Sequence, residues 1–353
     1  EIPLDKFLYA ILKKKVYGYG KVERERERER EREGKREPYF DLLRGIAIIA
    51  VVSIHTLHYS NNLSTDITTL FYRNGINFAV PLFLVLSGYF CANFQSKQVF
   101  LHFLRKQIPK IYIPLLFYSF IFTIVLYIHK PISINIALIK IFLCSTLGPY
   151  YFIALIIQYY VLLPMIKDTK SCLIISFILS CISCLIIFYA RYFLKIKIPL
   201  ILYAGVFPVW IVFFVYGVYL SNHKVNINPH ISIILIFVTY ILSNVESYFL
   251  FLNFSMIGDA VTAIKITSFM YSLAVITFFM QNKNFISSKL LSDIGRNSFG
   301  IFLIHIPIII LYSEINTNSL FLLFSTIIST YIFIRTCRAV LPVRMLYVLG
   351  LSG

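Results

Sequence analysis

Acidic residues are scarce in this sequence: 16 Asp and Glu in 353 residues, nine of them within the first 37. The other seven are Asp41, Asp66, Asp168, Glu246, Asp259, Asp293 and Glu314. Soluble domains carry about a quarter of their residues as charges, and here the figure is 14%, which excludes a soluble enzyme. Cysteine is thin as well, six residues without a pairing pattern, which excludes a disulfide scaffold. Cys181 and Cys184 form a C-x-x-C inside an apolar stretch, with no second pair or histidine nearby, so neither a zinc nor a redox site is expected. Glycine-rich phosphate loops and internal repeats are missing. A cleavable signal peptide is not expected either, since the first apolar segment, Phe7 to Leu12, is brief and runs into charge.

What the sequence has is grease and positive charge. Hydrophobic residues make up 58%, aromatics 17%, mean hydropathy is +0.78 and formal net charge is +17. A basic soluble protein suggests nucleic acid, but in so apolar a chain a membrane explains the charge and no nucleic-acid partner is expected. About 20 apolar residues are needed to cross the hydrocarbon as a helix. Runs of that kind fall at 41–59, 76–94, 111–129, 149–166, 171–193, 199–221, 231–252, 262–281, 294–315 and 319–336. They predict an all-α, polytopic membrane protein with about ten transmembrane helices. The stretch from Ile134 to Leu147 is short and holds Lys140, so it reads as interfacial or re-entrant.

Positive charge in short loops orients such a chain. With a cytoplasmic N-terminus, only Arg73, Lys130, Lys140, Arg191, Lys195, Lys197 and Lys265 fall outside, against 26 basic residues inside. Both termini are therefore expected in the cytoplasm. Residues 1–37, with the Glu-Arg repeat at 23–33, read as a charged low-complexity cytoplasmic tail. Residues 38–353 form the membrane domain. The chain starts at Glu1, so a fragment of a longer protein is expected.

Ionisable residues within spans are costly and point to function. The first span offers Asp41, Arg44, His55 and His58. Arg44 and His55 are eleven residues apart, three helical turns, so they share a face about 16 Å apart. They cannot act on one bond, but they can hold two ends of a long molecule, with the anionic end at Arg44. Asp41, one turn before Arg44, can pair with it. Standing alone, Arg44 would read first as a topological anchor and His55 as a packed interior residue.

The string FDLLRGIAIIAVVSIHT, followed by NFAVPLFLVLSGYF, resembles the membrane acyltransferase-3 family of bacterial surface-polysaccharide O-acyltransferases. The family opens on D-x-L-R-G-x-A with a histidine beyond it, matched by Asp41, Arg44, Gly45 and His55, and follows with F-x-x-S-G-[FY], matched by Phe83, Ser87, Gly88 and Tyr89. Further on, 148–164 is similar to its W-F-x-x-x-L-x-x-Y-x-x-x-P span with Tyr151 for Trp. FFVYGVYL at 213–220 is similar to its F-x-x-G motif, and 294–307 to its S-x-x-x-Y-L-x-H span with Phe302 for Tyr. The likeness covers about residues 39–340. One motif departs: where many members have R-x-x-R, this chain has Arg105, Lys106 and Lys110, and lysine lacks the arginine fork.

The resemblance implies transfer of an acyl group, acetyl in first place, from acyl-CoA to a hydroxyl of a cell-surface or lipid-linked glycan, in the bacterial inner membrane and without a metal. Acetyl-CoA is the implied co-substrate; glycan acceptor, membrane lipids and a second copy of the chain (a homo-oligomer) are the implied partners. His55 is the expected base or acyl carrier, with His305 orienting the acceptor or stabilising the intermediate. Glu246 is the expected partner of a histidine or of the acceptor hydroxyl. Arg44, Arg105, Lys106 and Lys110 are expected to take the phosphates of coenzyme A. Ser87 with Gly88 is expected to allow close helix approach. A transporter or flippase for a glycan or organic anion would use the same basic rim, but it calls for inverted repeats and broken span pairs that the sequence does not display. A non-catalytic partner in polysaccharide assembly is the third alternative.

Overall fold

A chain in lipid has to pair its backbone groups within its own segments, so apolar sequence of this kind becomes helix. The computed structural model describes residues 37–60, 67–94, 97–129, 133–143, 145–254 and 260–352, and every regular element among them is helical. The tail repeat, Asp66, Asp259, Lys130 and Cys144 lie outside the described residues. By its contacts the chain divides into Glu1–Tyr39 and Phe40–Gly353. Of the first unit only Glu37, Pro38 and Tyr39 are described; the rest of this account concerns the second.

The helices are α1 (Pro38–Tyr59), α2 (Ile67–Gly75), α3 (Ala79–Cys91), α4 (Lys97–His129), α5 (Ile134–Phe142), α6 (Tyr151–Leu162) and α7 (Lys170–Phe188). They continue with α8 (Phe207–Asn222), α9 (Pro229–Phe254), α10 (Ile266–Gln281), α11 (Lys289–Arg296), α12 (Ser298–Ser313), α13 (Ser319–Val340) and α14 (Val343–Val348). Seven stretches are long and apolar enough to cross a membrane: Pro38–Tyr59, Thr68–Phe94, Val99–Ile128, Gly148–Met165, Lys170–Phe193, Pro229–Asn253 and Ser319–Val340. The pair α11–α12, bent by 78°, makes an eighth if taken as one span. The remaining two of the ten expected runs hold α8 and α10, which at 16 residues each are shorter than a spanning helix. Nearly all of α8 from Val209 to Val218 is buried, so its length is set by neighbouring helices and not by bilayer thickness. The stretch around Lys140 forms α5, capped by Ser133 and without a buried residue.

Two helix crossings are made by glycine alone. A methyl group at Gly88 of α3 would overlap the Phe214 carbonyl of α8, and one at Gly217 of α8 would overlap the Val85 carbonyl of α3. Gly45 of α1 faces the Leu291 carbonyl of α11 in the same manner, and Gly295 of α11 faces that of Asp41. Ser87, beside Gly88, turns its hydroxyl back onto the Phe83 carbonyl at 2.8 Å.

Breaks in the helices are satisfied by side chains. Between the turn Leu200–Tyr203 and α8, Gln158 donates to the Gly205 carbonyl at 2.6 Å and accepts from Phe207 N at 3.1 Å. Trp210 Nε1 donates to the Ala204 carbonyl at 2.9 Å. Pro307 within α12 has no N–H for the carbonyl one turn back, Leu303, and the Tyr150 hydroxyl donates to that oxygen instead at 2.7 Å.

Candidate active site

Helix α1 carries both ends of the site. At its start Asp41 is fully buried, an expensive place for a carboxylate unless cations meet it. Arg44 Nη1 donates to its Oδ1 at 2.7 Å, and Arg296 Nε stands 3.5 Å from its Oδ2. The Gly45–Gly295 crossing is what brings Arg296 to this carboxylate. The Arg44 guanidinium also lies over the Phe90 ring, 4.9 Å from its centre. Asp41 thus fixes two arginines at one end of the bundle. Asp41→Asn is expected to destabilise the protein by about 1–2 kcal/mol, less than a fully buried pair because both arginines are partly exposed. Thermal unfolding in detergent measures this.

A cavity of about 760 Å³ runs from Arg44 past His55 and His58 to Arg73, with Tyr151 and Phe302 in its wall. Both arginines and both α1 histidines face it, so the three-turn spacing on α1 becomes the length of a continuous space. His55 is half-buried in that wall. Behind it, outside the lining, sits His305, fully buried, with the two ring centres 5.2 Å apart. His305 Nδ1 lies 2.7 Å from the Phe302 carbonyl and 3.2 Å from that of Ile301. A carbonyl only accepts, so Nδ1 carries the proton and Nε2 is left as an acceptor. That Nε2 is buried without a hydrogen-bond partner, next to the His55 ring.

The other expected residues scatter. Tyr151 lines the cavity; Ser87 does not, being engaged with its own helix. Arg105, Lys106 and Lys110 are exposed on α4 and do not line the cavity. Phe103 of the same helix stacks on Phe94 at 4.8 Å and meets Tyr160 at 5.1 Å, which puts this basic stretch at the Arg44 end. Glu246 is not brought to the histidines: it accepts from the Thr267 hydroxyl and lines a separate cavity of about 280 Å³ with Arg191 and Lys265. Among the described residues no group of three or more His, Cys, Asp or Glu could hold a metal ion.

The sequence reading missed Arg73 and Asn77, both of which line the larger cavity, and the second arginine on Asp41, Arg296. Arg73 and Arg296 counted only as topological charges. The available signal was the cluster Arg73, Asn74 and Asn77 at the mouth of an otherwise apolar run, since polar side chains at that depth need partners.

Compared with known proteins, residues 37–335 match the family model described as Acyltransferase domain, of the acyltransferase-3 type. Neither the curated proteins nor the solved structures gave a match. The matched range covers most of the chain and takes in every helix that lines the larger cavity, so the chain belongs to the acyltransferase-3 family and is a multi-pass membrane acyltransferase.

Proposed function

We propose that this protein is an O-acyltransferase of the bacterial inner membrane that moves an acetyl group from acetyl-CoA to a hydroxyl of a cell-surface or lipid-linked glycan. The observation that carries the reading is the single cavity with Arg44 at one end and His55 backed by His305 beyond it. Eleven residues of helix separate the two, about 16 Å, a distance that an extended pantetheine arm can bridge. Arg44, held in line by Asp41, suits a phosphate of the donor, and the exposed Arg105, Lys106 and Lys110 add positive potential at the same end. Acetyl-CoA supplies the activated acyl group; the protein's own part is to place it and to move a proton. His55 takes the proton of the acceptor hydroxyl and returns it to the departing thiolate. His305 Nε2 can accept an N–H from His55, which turns the other His55 nitrogen, as a lone pair, toward the cavity.

Comparing surface glycans from cells with and without the gene by NMR tests the reading. The O-acetyl signal is expected to disappear without the gene. Unchanged acetylation together with altered export of the polymer would sink the enzyme assignment in favour of a transporter.

A further inference from the structure

The outer reach of the cavity holds a cation for which the reading above has no task. Arg73, on α2, lines the cavity together with His55 and lies within electrostatic reach of it. It has no carboxylate partner among the described residues. Its one hydrogen bond there is from Nη1 to Asn77 Oδ1, at 2.5 Å, and a neutral amide leaves the charge uncompensated. A half-buried guanidinium facing an apolar-walled space is costly unless something anionic visits it.

Its support is built with unusual care for a membrane interior. Asn77 is almost fully buried, and its Nδ2 donates to Asn74 Oδ1 and to the Val261 and Thr262 carbonyls at 3.3–3.4 Å. Asn74 Oδ1 in turn accepts from Lys265 Nζ at 3.0 Å. Lys265 is 3% exposed and also reaches Ser247 and, at 3.0 Å, the Ala260 carbonyl. The chain Lys265–Asn74–Asn77–Arg73 joins the residue preceding α10 to α2 and ends on the guanidinium in the cavity. Asn77 therefore cannot swing away, and its oxygen holds Arg73 in one place.

We propose that Arg73 is the oxyanion-stabilising group of the transfer reaction, and that Lys265 is a positioning residue acting on it through Asn74 and Asn77. The inference rests on the acyl-transfer reading. In the step concerned, the acceptor hydroxyl gives its proton to His55 and its oxygen bonds to the acyl carbon of the thioester. The carbonyl electron pair moves onto oxygen, and that negative charge meets the Arg73 guanidinium. When the pair returns, the carbon–sulfur bond breaks and the thiolate takes the proton back from His55. Products are the ester and the free thiol, so atoms and charge balance. Arg44 cannot serve this oxygen, because it stands three helical turns from His55.

The test uses the full chain in detergent or nanodiscs, acetyl-CoA as donor and surface glycan from cells lacking the gene as acceptor. Thiol release gives the rate and NMR of the glycan identifies the ester. Arg73→Gln is expected to lower kcat roughly 10²–10³-fold with both KM values within about threefold of wild type, since only the transition state bears the charge. Arg73→Lys keeps the charge without the fork, is expected to fall between, and carries the test if Arg73→Gln does not accumulate in the membrane. Lys265→Gln is expected to lower kcat in the same manner, and the double variant to be no slower than Arg73→Gln alone. A kcat unaffected in Arg73→Gln overturns the proposal, as does a loss confined to the KM of donor or acceptor. Additive losses in the double variant overturn the positioning role of Lys265. A wild-type chain that transfers no acetyl group at all overturns the underlying reading, an outcome distinct from an active wild type indifferent to residue 73.

Discussion

His55→Ala is expected to lower acyl transfer about a thousandfold, roughly 4 kcal/mol of barrier, while the protein inserts and folds as before. The separation of the two effects follows from where His55 sits. It is half-buried in the cavity wall, so its removal enlarges an existing space instead of opening a void in the packed core. Its packing neighbour His305 remains held by the Phe302 carbonyl at 2.7 Å. On the general-base assignment a slow residual transfer survives, because placement of donor and acceptor does not depend on the imidazole. On the acyl-carrier assignment nothing survives, and the wild type forms an acyl-imidazole when donor is supplied without acceptor. His305→Ala is expected to cost less than His55→Ala, and the pair together about as much as His55→Ala alone, since one ring acts through the other. Thiol release in detergent measures all three variants. Full activity in His55→Ala, with its Tm unchanged, would remove the assignment.

Half of this site could be read before any coordinates. A carboxylate, an arginine and a histidine on one apolar helix announce themselves, because each is expensive there and the 3.6-residue period alone sets their shared face. The Asp41–Arg44 pair was legible for that reason and is present at 2.7 Å. Arg73 was not legible, because an arginine at the mouth of a span looks the same whether it faces headgroups or a cavity. Only the long-range hydrogen bonds of Asn74 and Asn77 to α9 and α10 distinguish the two cases. Glu246 shows the converse. Its burial cost flagged it, but hydropathy does not say which flank of α9 faces which cavity. The span count was blurred by the same limitation. Residues 199–221 read as one apolar run, yet the backbone breaks between Tyr203 and Phe207, and Gln158 from another helix satisfies the broken ends. A residue 47 to 49 positions away is invisible to a window of 20.

Gly88→Ala is expected to destabilise the protein by about 3 kcal/mol or more. Helices in lipid gain little from burying apolar surface against one another, so they depend on close contact, and small residues supply it. At the α3–α8 crossing Gly88 and Gly217 interlock: each lets the other helix's backbone carbonyl, of Phe214 and Val85 respectively, occupy the place of its missing side chain. A side chain in the way can rotate, but a carbonyl within a helix cannot, so the helices must separate along their length. That separation reaches the site, because α8 holds Trp210, and α3 holds Phe83, in the wall of the cavity. Gly217→Ala is expected to cost about as much, and the double variant less than the two combined, since the first methyl already forces the gap that the second needs. Gly75→Ala is the control. A methyl group there would meet only the Tyr240 ring at 3.6 Å, ordinary contact, so stability is expected to change by no more than about 0.5 kcal/mol. Thermal unfolding in one detergent compares the four variants. Equal Tm values for Gly75→Ala and Gly88→Ala would show that the crossing has room to spare, and that its two glycines are not what hold α3 against α8.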